Sequence, residues 1–330
     1  KNGFKNYGGL SNIYLNFKKK LKLFKKKKFL IAVSGGPDSL ALAALAKSYN
    51  YENSSKIFYV LVDHKLRKNS SREAQLVKQL LKKHKINLHI LKNEKKINKN
   101  VQSEARKVRY NLLVSFCKKK NINVILTAHN LEDQVETFFI RLSRGSGLDG
   151  LSSMKKINKI EGSIKLARPL LDFKKIELIK ISKLIFGKYY KDPSNKNTKY
   201  LRTRIRNLKR TLETSGINYD QVIRSIKNLA SSKDTLDQYF NQIYKNIVNK
   251  KKGEIMIDLK VFNKINQEMK MRVFKKAIKD ITKAYYAARS KKIFNLIDRI
   301  KAKKNAKLTL GGCIISRGKN HINLKKEIKN

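Results

Sequence analysis

The chain has 330 residues, about two domains at roughly 150 residues each, and 41% of them are hydrophobic, which excludes a small disulfide-stapled module and a disordered basic tail. Lysine and arginine number 78 against 24 aspartates and glutamates, a formal net charge of +54, so the expected partner is a polyanion, either nucleic acid or an anionic membrane surface. Part of that charge reflects a composition rich in Lys, Asn and Ile and devoid of Trp, as AT-rich codon usage produces.

No run reaches the ~20 apolar residues of a membrane span. The basic stretch 25–28 before Phe29-Leu30-Ile31-Ala32-Val33 imitates a signal peptide, but Asp38 and the nearby glycines fit strand, loop and helix better. Residues 29–33 read as a first strand and 40–46 as a helix. A second strand spans 57–62, and Ser70 with Glu73 forms a capping box opening a helix to about residue 83. A third strand at 86–91, a helix at 104–118, a fourth strand at 124–128 and a helix at 131–142 continue the alternation. This pattern predicts an α/β fold: an open, mostly parallel sheet with helices on both faces and a ligand crevice at the carboxyl ends of the strands. The pattern breaks at Gly145-Ser146-Gly147 and Gly150. The Arg168-Pro169-Leu170-Leu171 segment then leads to a helix that Asp172 is placed to cap. After Asp192-Pro193-Ser194-Asn195 come Lys-rich helices at about 201–213, 220–249, 263–281 and 289–304, then a hairpin of 308–316 and 321–324 around Arg317-Gly318-Lys319-Asn320. The expected domains are therefore 1–198, catalytic, and 199–330, smaller and mainly helical. Cys117 and Cys313 lie far apart with no second Cys or His at metal-ligand spacing, so no disulfide framework or zinc site is legible and a reducing cytoplasm is expected.

Ser34-Gly35-Gly36-Pro37-Asp38-Ser39 stands between the first strand and first helix, where small residues and a helix dipole present backbone N–H groups to phosphate. The lysine of a Walker A loop is missing, so hydroxyls and backbone donors must hold the anion. Asp38 would repel phosphate unless a cation intervenes, and is read as facing magnesium or orienting donors. Val62-Asp63-His64 ends the second strand beside this loop, where His64 either meets a nucleotide or is a satisfied strand-end histidine. Arg106 and Arg109 share one helix face, as a phosphate grip or a solvated basic face. Asp133 and Glu136, at i and i+3 in Thr127-Ala128-His129-Asn130-Leu131-Glu132-Asp133-Gln134-Val135-Glu136-Thr137, project two carboxylates from one face, which suits a cationic amine.

The SGGPDS segment resembles the PP-loop of the N-type ATP pyrophosphatases, which split ATP to AMP and pyrophosphate while adenylating a substrate. The ordered series SGGPDS, VDHKLR, ARKVRY, TAHNLEDQVET, RLSRGSGLDGL, RPLL, DPSN and an Arg-rich helix, over about 29–213, resembles the tRNA(Ile)-lysidine synthetase family in its shorter form. The resemblance implies ATP with Mg2+, free L-lysine and a CAU-anticodon tRNA(Ile) as substrates. The wobble cytidine is adenylated at its position 2 oxygen, and the lysine ε-amine then displaces AMP to give lysidine. It places Ser34, Gly35, Gly36, Pro37, Asp38 and Ser39 at ATP, with Asp38 at magnesium and His129 near the nucleotide and reacting base. Arg106 or Arg109 falls at phosphate or the target nucleotide, and Asp133, Glu136 and Arg206 at lysine. Arg202, Arg204 and Arg210 concentrate forked donors for tRNA phosphate, while Tyr200, Tyr285 and Tyr286 either stack on bases or belong to the core. Two departures from the family pattern stand out: Asn130 replaces a second histidine and Glu132 an aspartate. A homodimer is compatible with these features, and export or membrane association is not expected. The rivals are an RNA thiolase, for which no CxxC is present, and a catalytically inactive RNA-binding relative.

Overall fold

The computed structural model describes residues 8–25, 28–67, 69–94, 97, 101–190, 193, 197–251, 253–282, 288, 290–302 and 307–327. The chain divides into two units, Lys1–Ala230 and Ser231–Asn330.

The first unit opens with α1 (Gly8–Lys22), a Lys-rich helix whose apolar stripe of Ile13, Tyr14, Phe17 and Leu21 is buried. There follow β1 (Lys28–Val33), α2 (Pro37–Asn53), β2 (Lys56–Asp63), α3 (Ser70–Lys83), β3 (Leu88–Lys92), α4 (Val101–Lys120), β4 (Val124–Leu126), α5 (Leu131–Leu142), α6 (Leu148–Leu151), β5 (Ile157–Glu161), β6 (Ile164–Ala167), α7 (Lys175–Phe186), α8 (Leu201–Asn207), α9 (Lys209–Thr214) and the start of α10 (Tyr219–Ile247), a helix whose later part belongs to the second unit. The six strands are ordered β3-β2-β1-β4-β6-β5, all parallel except β5, which pairs antiparallel with β6. Strands buried on both faces read as unbroken apolar runs, as β1 and β4 do. Phe29, Ile31, Tyr59, Leu61, Leu88 and Leu126 pack with α1, α2, α3 and α7, whereas Leu30, Val60, Ile125 and Leu166 pack with Leu113, Val114 and Cys117 of α4. Helix α2 is buried from Ser39 through Ala46, which explains why its sequence shows no polar stripe. Because β1 leads through α2 to β2 on one side and lies against β4 on the other, the strand order reverses between β1 and β4. Their carboxyl ends open the crevice that such a reversal creates.

Several local expectations are corrected. Ser70 and Glu73 make no capping box: the N-cap is Asn69, and Glu73 instead accepts from Arg67 at 2.9 Å. Asp172 does not cap α7, whose N-cap is Lys174; its carboxylate takes Lys20 at 2.7 Å and Lys156 at 3.1 Å. The Arg-bearing stretch from Leu201, assigned by sequence to the second domain, lies in the first unit, where Thr203 and Ile205 are buried and α8 packs on α5.

The second unit contains β7 (Val248–Lys251), β8 (Glu254–Asp258), α11 (Leu259–Lys264), α12 (Gln267–Thr282), α13 (Ser290–Ala302), β9 (Lys307–Leu310), β10 (Cys313–Arg317) and β11 (His321–Lys326). Its strands form one antiparallel sheet, β7-β8-β11-β10-β9, so the expected terminal hairpin is part of a larger sheet. The expected helix 220–249 stops at Ile247 and passes directly into β7. The one at 263–281 breaks at Ile265, and Asn266 Oδ1 accepts from Met269 N at 2.9 Å to start α12. Ile257, Phe262, Val273, Phe274, Ile297, Ile315 and Leu324 are among the residues of its core. Tyr285, Tyr286, Arg289 and most of Asp192-Pro193-Ser194-Asn195 lie outside the described residues. Among the described residues no helix is long and apolar enough to cross a membrane.

Candidate active site

The loop between β1 and α2 is shaped by its small residues. Gly35 has φ +83°, a conformation that L side chains rarely adopt, and a β-carbon there would meet Val77 Cγ2 at 2.5 Å. Tyr190 N donates to Gly35 O at 3.0 Å from the other side. Gly36 is the N-cap of α2 and Pro37 its first residue, where a missing N–H costs nothing. The buried Ser39 Oγ accepts from Ser34 N at 3.1 Å and donates to Gly36 O at 3.0 Å, so this hydroxyl ties the loop together. Asp38 projects from the first turn of α2 with Oδ1 buried and without a hydrogen-bond partner. Burial pushes its carboxyl up to about 6; the charge of Lys175 opposes this and those of Asp133 and Glu132 reinforce it.

Helix α5 carries the second group of acids. Asn130 caps it, accepting from Asp133 N at 2.9 Å while Asp133 Oδ2 accepts from Asn130 N at 3.1 Å. The departure at position 130 thus installs one of the best N-cap residues. Glu132, the other departure, reaches across to accept from Lys175 N at 2.8 Å, satisfying an open donor at the start of α7. Glu136 is 2% exposed and is gripped by Arg206, whose Nε donates to Oε1 at 2.7 Å and Nη2 to Oε2 at 2.9 Å. Arg202 approaches the same carboxylate at 3.3 Å and donates to Thr137 Oγ1 at 3.0 Å. Burial raises the Glu136 carboxyl against the pull of Arg206.

A second group of residues is basic. His129 leaves β4 with Nδ1 held 2.9 Å from Thr127 Oγ1. Burial, reinforced by the charges of Arg168, Arg106, Arg109 and Arg202, holds its imidazole well below the usual range, so it is neutral at pH 7. Arg106 and Arg109 both lie over the Tyr110 ring, at 5.1 and 5.5 Å from its centre. His64 Nδ1 is buried without a hydrogen-bond partner, and desolvation with the charge of Arg109 lowers its pKa. The glycine-rich segment after α5 is anchored by that helix: Arg141 Nη1 donates to Gly150 O at 2.6 Å and Ser153 O at 2.8 Å, and Gln134 exchanges two hydrogen bonds with the backbone of Met154.

Asp38, Asp133, Glu136 and Arg206 thus share one electrostatic neighbourhood, and His129, Arg106 and Arg109 another. Arg202 belongs to the site itself, while Arg204 and Arg210 are exposed and Tyr200 is half-buried. Sequence reasoning missed Lys175, Tyr190 and the anchoring roles of Arg141 and Gln134. Arg168 stood in a recognised motif without an assigned role.

A PP-loop domain profile matches residues 10–211. The chain is 35% identical over 290 residues to a tRNA(Ile)-lysidine synthase of Wolbachia pipientis wMel, covering 86% of this chain and 67% of the relative. It is 33% identical over 319 residues to a tRNA(Ile)-lysidine synthase of Orientia tsutsugamushi (strain Boryong), covering 92% and 71%. Among solved structures, the U34-tRNA thiolase NcsA from Methanococcus maripaludis with its [4Fe-4S] cluster has a TM-score of 0.55 at 18% identity, covering 67% of this chain and 80% of that one, a likeness of fold alone. The loop, the motifs in register along the sheet and the two relatives agree: the chain belongs to the tRNA(Ile)-lysidine synthase family of PP-loop proteins.

Proposed function

We propose that the protein joins free L-lysine to the wobble cytidine of a CAU-anticodon tRNA(Ile) at the expense of ATP, releasing AMP and pyrophosphate. The observation that carries this reading is the pairing, at one strand-order reversal, of a phosphate-binding loop with a buried carboxylate bound to arginine. The open N–H groups at the start of α2 receive ATP phosphates. Magnesium fits a carboxylate with an unpartnered oxygen, which Asp38 offers, and would neutralise phosphate charge there. The cytosine position 2 oxygen attacks the α-phosphate and pyrophosphate leaves; the lysine ε-nitrogen then attacks carbon 2 and AMP leaves.

Free lysine brings two ammonium groups and a carboxylate, and the Glu136–Arg206 pair offers one acid and one guanidinium to meet them. Asp133, whose charge acts on both Glu136 and Arg206, adds a second acid. These carboxylates bind the amine but favour its protonated form, which near pKa 10.4 has no lone pair to attack with. The neutral His129 is a hydrogen-bonding partner for the reacting base and too weak a base to strip this ammonium. Arg106 or Arg109 receives phosphate or the target nucleotide, and exposed Arg204 and Arg210 offer further donors to tRNA phosphate. The thiolase reading is disfavoured by the thiols: burial pushes Cys117 up to about 12 and Cys313 to about 11, away from thiolate.

Incubation with ATP, magnesium, labelled lysine and a CAU-anticodon tRNA(Ile) transcript, followed by nucleoside mass analysis, is expected to show lysine on the wobble cytidine. Pyrophosphate without RNA-bound lysine, or no product from folded protein, would overturn the proposal. Glu136→Ala is expected to raise the apparent KM for lysine far more than that for ATP; an unchanged lysine KM would remove the assigned role of Glu136.

A further inference from the structure

The loop that receives the phosphates holds no cation of its own: Ser34-Gly35-Gly36-Pro37-Asp38-Ser39 contains a carboxylate instead. Expelling pyrophosphate builds negative charge on the leaving oxygens, and fixed positive groups aimed at them stabilise that change. Such a group stands on another element. The first turns of α5 and α7 are pinned together where Leu131 N donates to Phe173 O at 3.0 Å and Lys175 N donates to Glu132 Oε2 at 2.8 Å. Helix α7 also packs along α2, the helix that the loop opens.

Lys175 is the first residue of α7, and a helical Cα–Cβ bond tilts toward the helix N-terminus, here toward the meeting point of these first turns. It is half-buried, and among the described residues its ammonium has no hydrogen-bond or ion-pair partner. The neighbouring carboxylates are already engaged, Glu132 by the Lys175 backbone and Asp133 by the Asn130 backbone. The adjacent Lys174 behaves differently, its ammonium lying 3.1 Å from Asp220. The contacts of α7 with α2 and α5 thus bring the first turn of α7 to the helix that the loop opens.

We propose that Lys175 is the phosphate-binding cation of this site, supplied from α7 instead of from the loop, and that it holds the pyrophosphate half of ATP. This rests on the reading of the loop as an ATP site. A lysine serves here as a point charge, so an arginine substitute retains much of the effect.

The test is equilibrium binding of ATP, AMP and inorganic pyrophosphate, each with magnesium, to the full chain and to Lys175→Met and Lys175→Arg. In Lys175→Met, affinity for ATP and pyrophosphate is expected to fall about tenfold or more, while AMP binds as before and shows that the variant is folded. Lys175→Arg is expected to recover most of the loss. If ATP and AMP weaken by the same factor, or neither weakens, Lys175 is only a counter-ion to Asp38 and the proposal falls. If the unaltered protein binds no ATP, the failure belongs to the ATP-site reading.

Discussion

At the scale of single residues, the site spends stability on buried charge. The Asp38 carboxyl has moved from an ordinary 3.8 up to about 6, so the fold favours its protonated form. The cost is absent below the unfolded value, sets in as pH climbs between the two values and is complete above the folded one. Asp38→Asn is therefore expected to stabilise the protein at pH 8 by about 1–3 kcal/mol and to do little near pH 4, while abolishing ATP turnover. Denaturant unfolding at both pH values checks this, and an equal gain at both would contradict the buried-charge account. Glu136 presents the opposite case, a buried carboxylate with its countercharge in place. Glu136→Gln removes the carboxylate charge that Arg206 and Arg202 both face and is expected to cost about 2 kcal/mol, less than a fully buried pair because the guanidinium groups are partly exposed. Adding Arg206→Met should return part of that loss without restoring lysine use. Thermal unfolding of the unaltered protein, Glu136→Gln, Arg206→Met and the double variant measures the coupling, and additive losses would show that the pair contributes nothing.

At the scale of elements, the caps carry information that the motif pattern obscured. Asn130 departs from the family histidine but supplies the reciprocal cap of α5, and Asn130→Ala is expected to lower stability by about 1 kcal/mol. Asn130→Asp should retain the cap, and melting temperatures of the two variants distinguish them. The strands and helices from β1 to α5 were legible because their apolar runs and periodicities are local properties. The same locality made 70–73 look like a capping box, although the pairing of Glu73 with Arg67 is decided by side chains outside that window. Helix α1 was overlooked although Ile13, Tyr14, Phe17 and Leu21 have helical spacing, because lysines crowd its other faces. The start of β7 was read as a helix tail and β8 was left unassigned, since residues near Lys250 and Lys251 carry no apolar alternation and the pairing of these strands is set by β11 and by each other. The loop SGGPDS and the acids of α5 were visible in sequence. Lys175 was not, because one lysine among 78 basic residues has no local mark and acquires a role only when α7 meets α2 and α5.

At the scale of the molecule, the +54 charge is the dominant long-range feature. RNA affinity is expected to fall steeply with salt, and neutralising any one phosphate contact should reduce the logarithmic slope by about one. Exposed Arg204 and Arg210 of the first unit fit such a role. So do Lys245 and Lys276 of the second, in a cleft where Lys250 and Lys276 each lie 5.3 Å from the centre of the Tyr244 ring. Alanine at Arg204 or Lys276 is expected to weaken all tRNA sequences alike and flatten the salt dependence. Loss confined to one tRNA would assign these residues to recognition of sequence. The basic surface also bears on the choice of amine. Cells contain polyamines and the decarboxylated form of lysine, cations that any exposed acidic pocket would collect. Here Glu136 is already held by Arg206, so an amine can enter only by exchange. A diamine would separate the pair and return no carboxylate to the guanidinium, whereas an amino acid returns one. On the proposed lysine-binding reading, the closed ion pair is expected to favour an amino acid over the commonest competing cations.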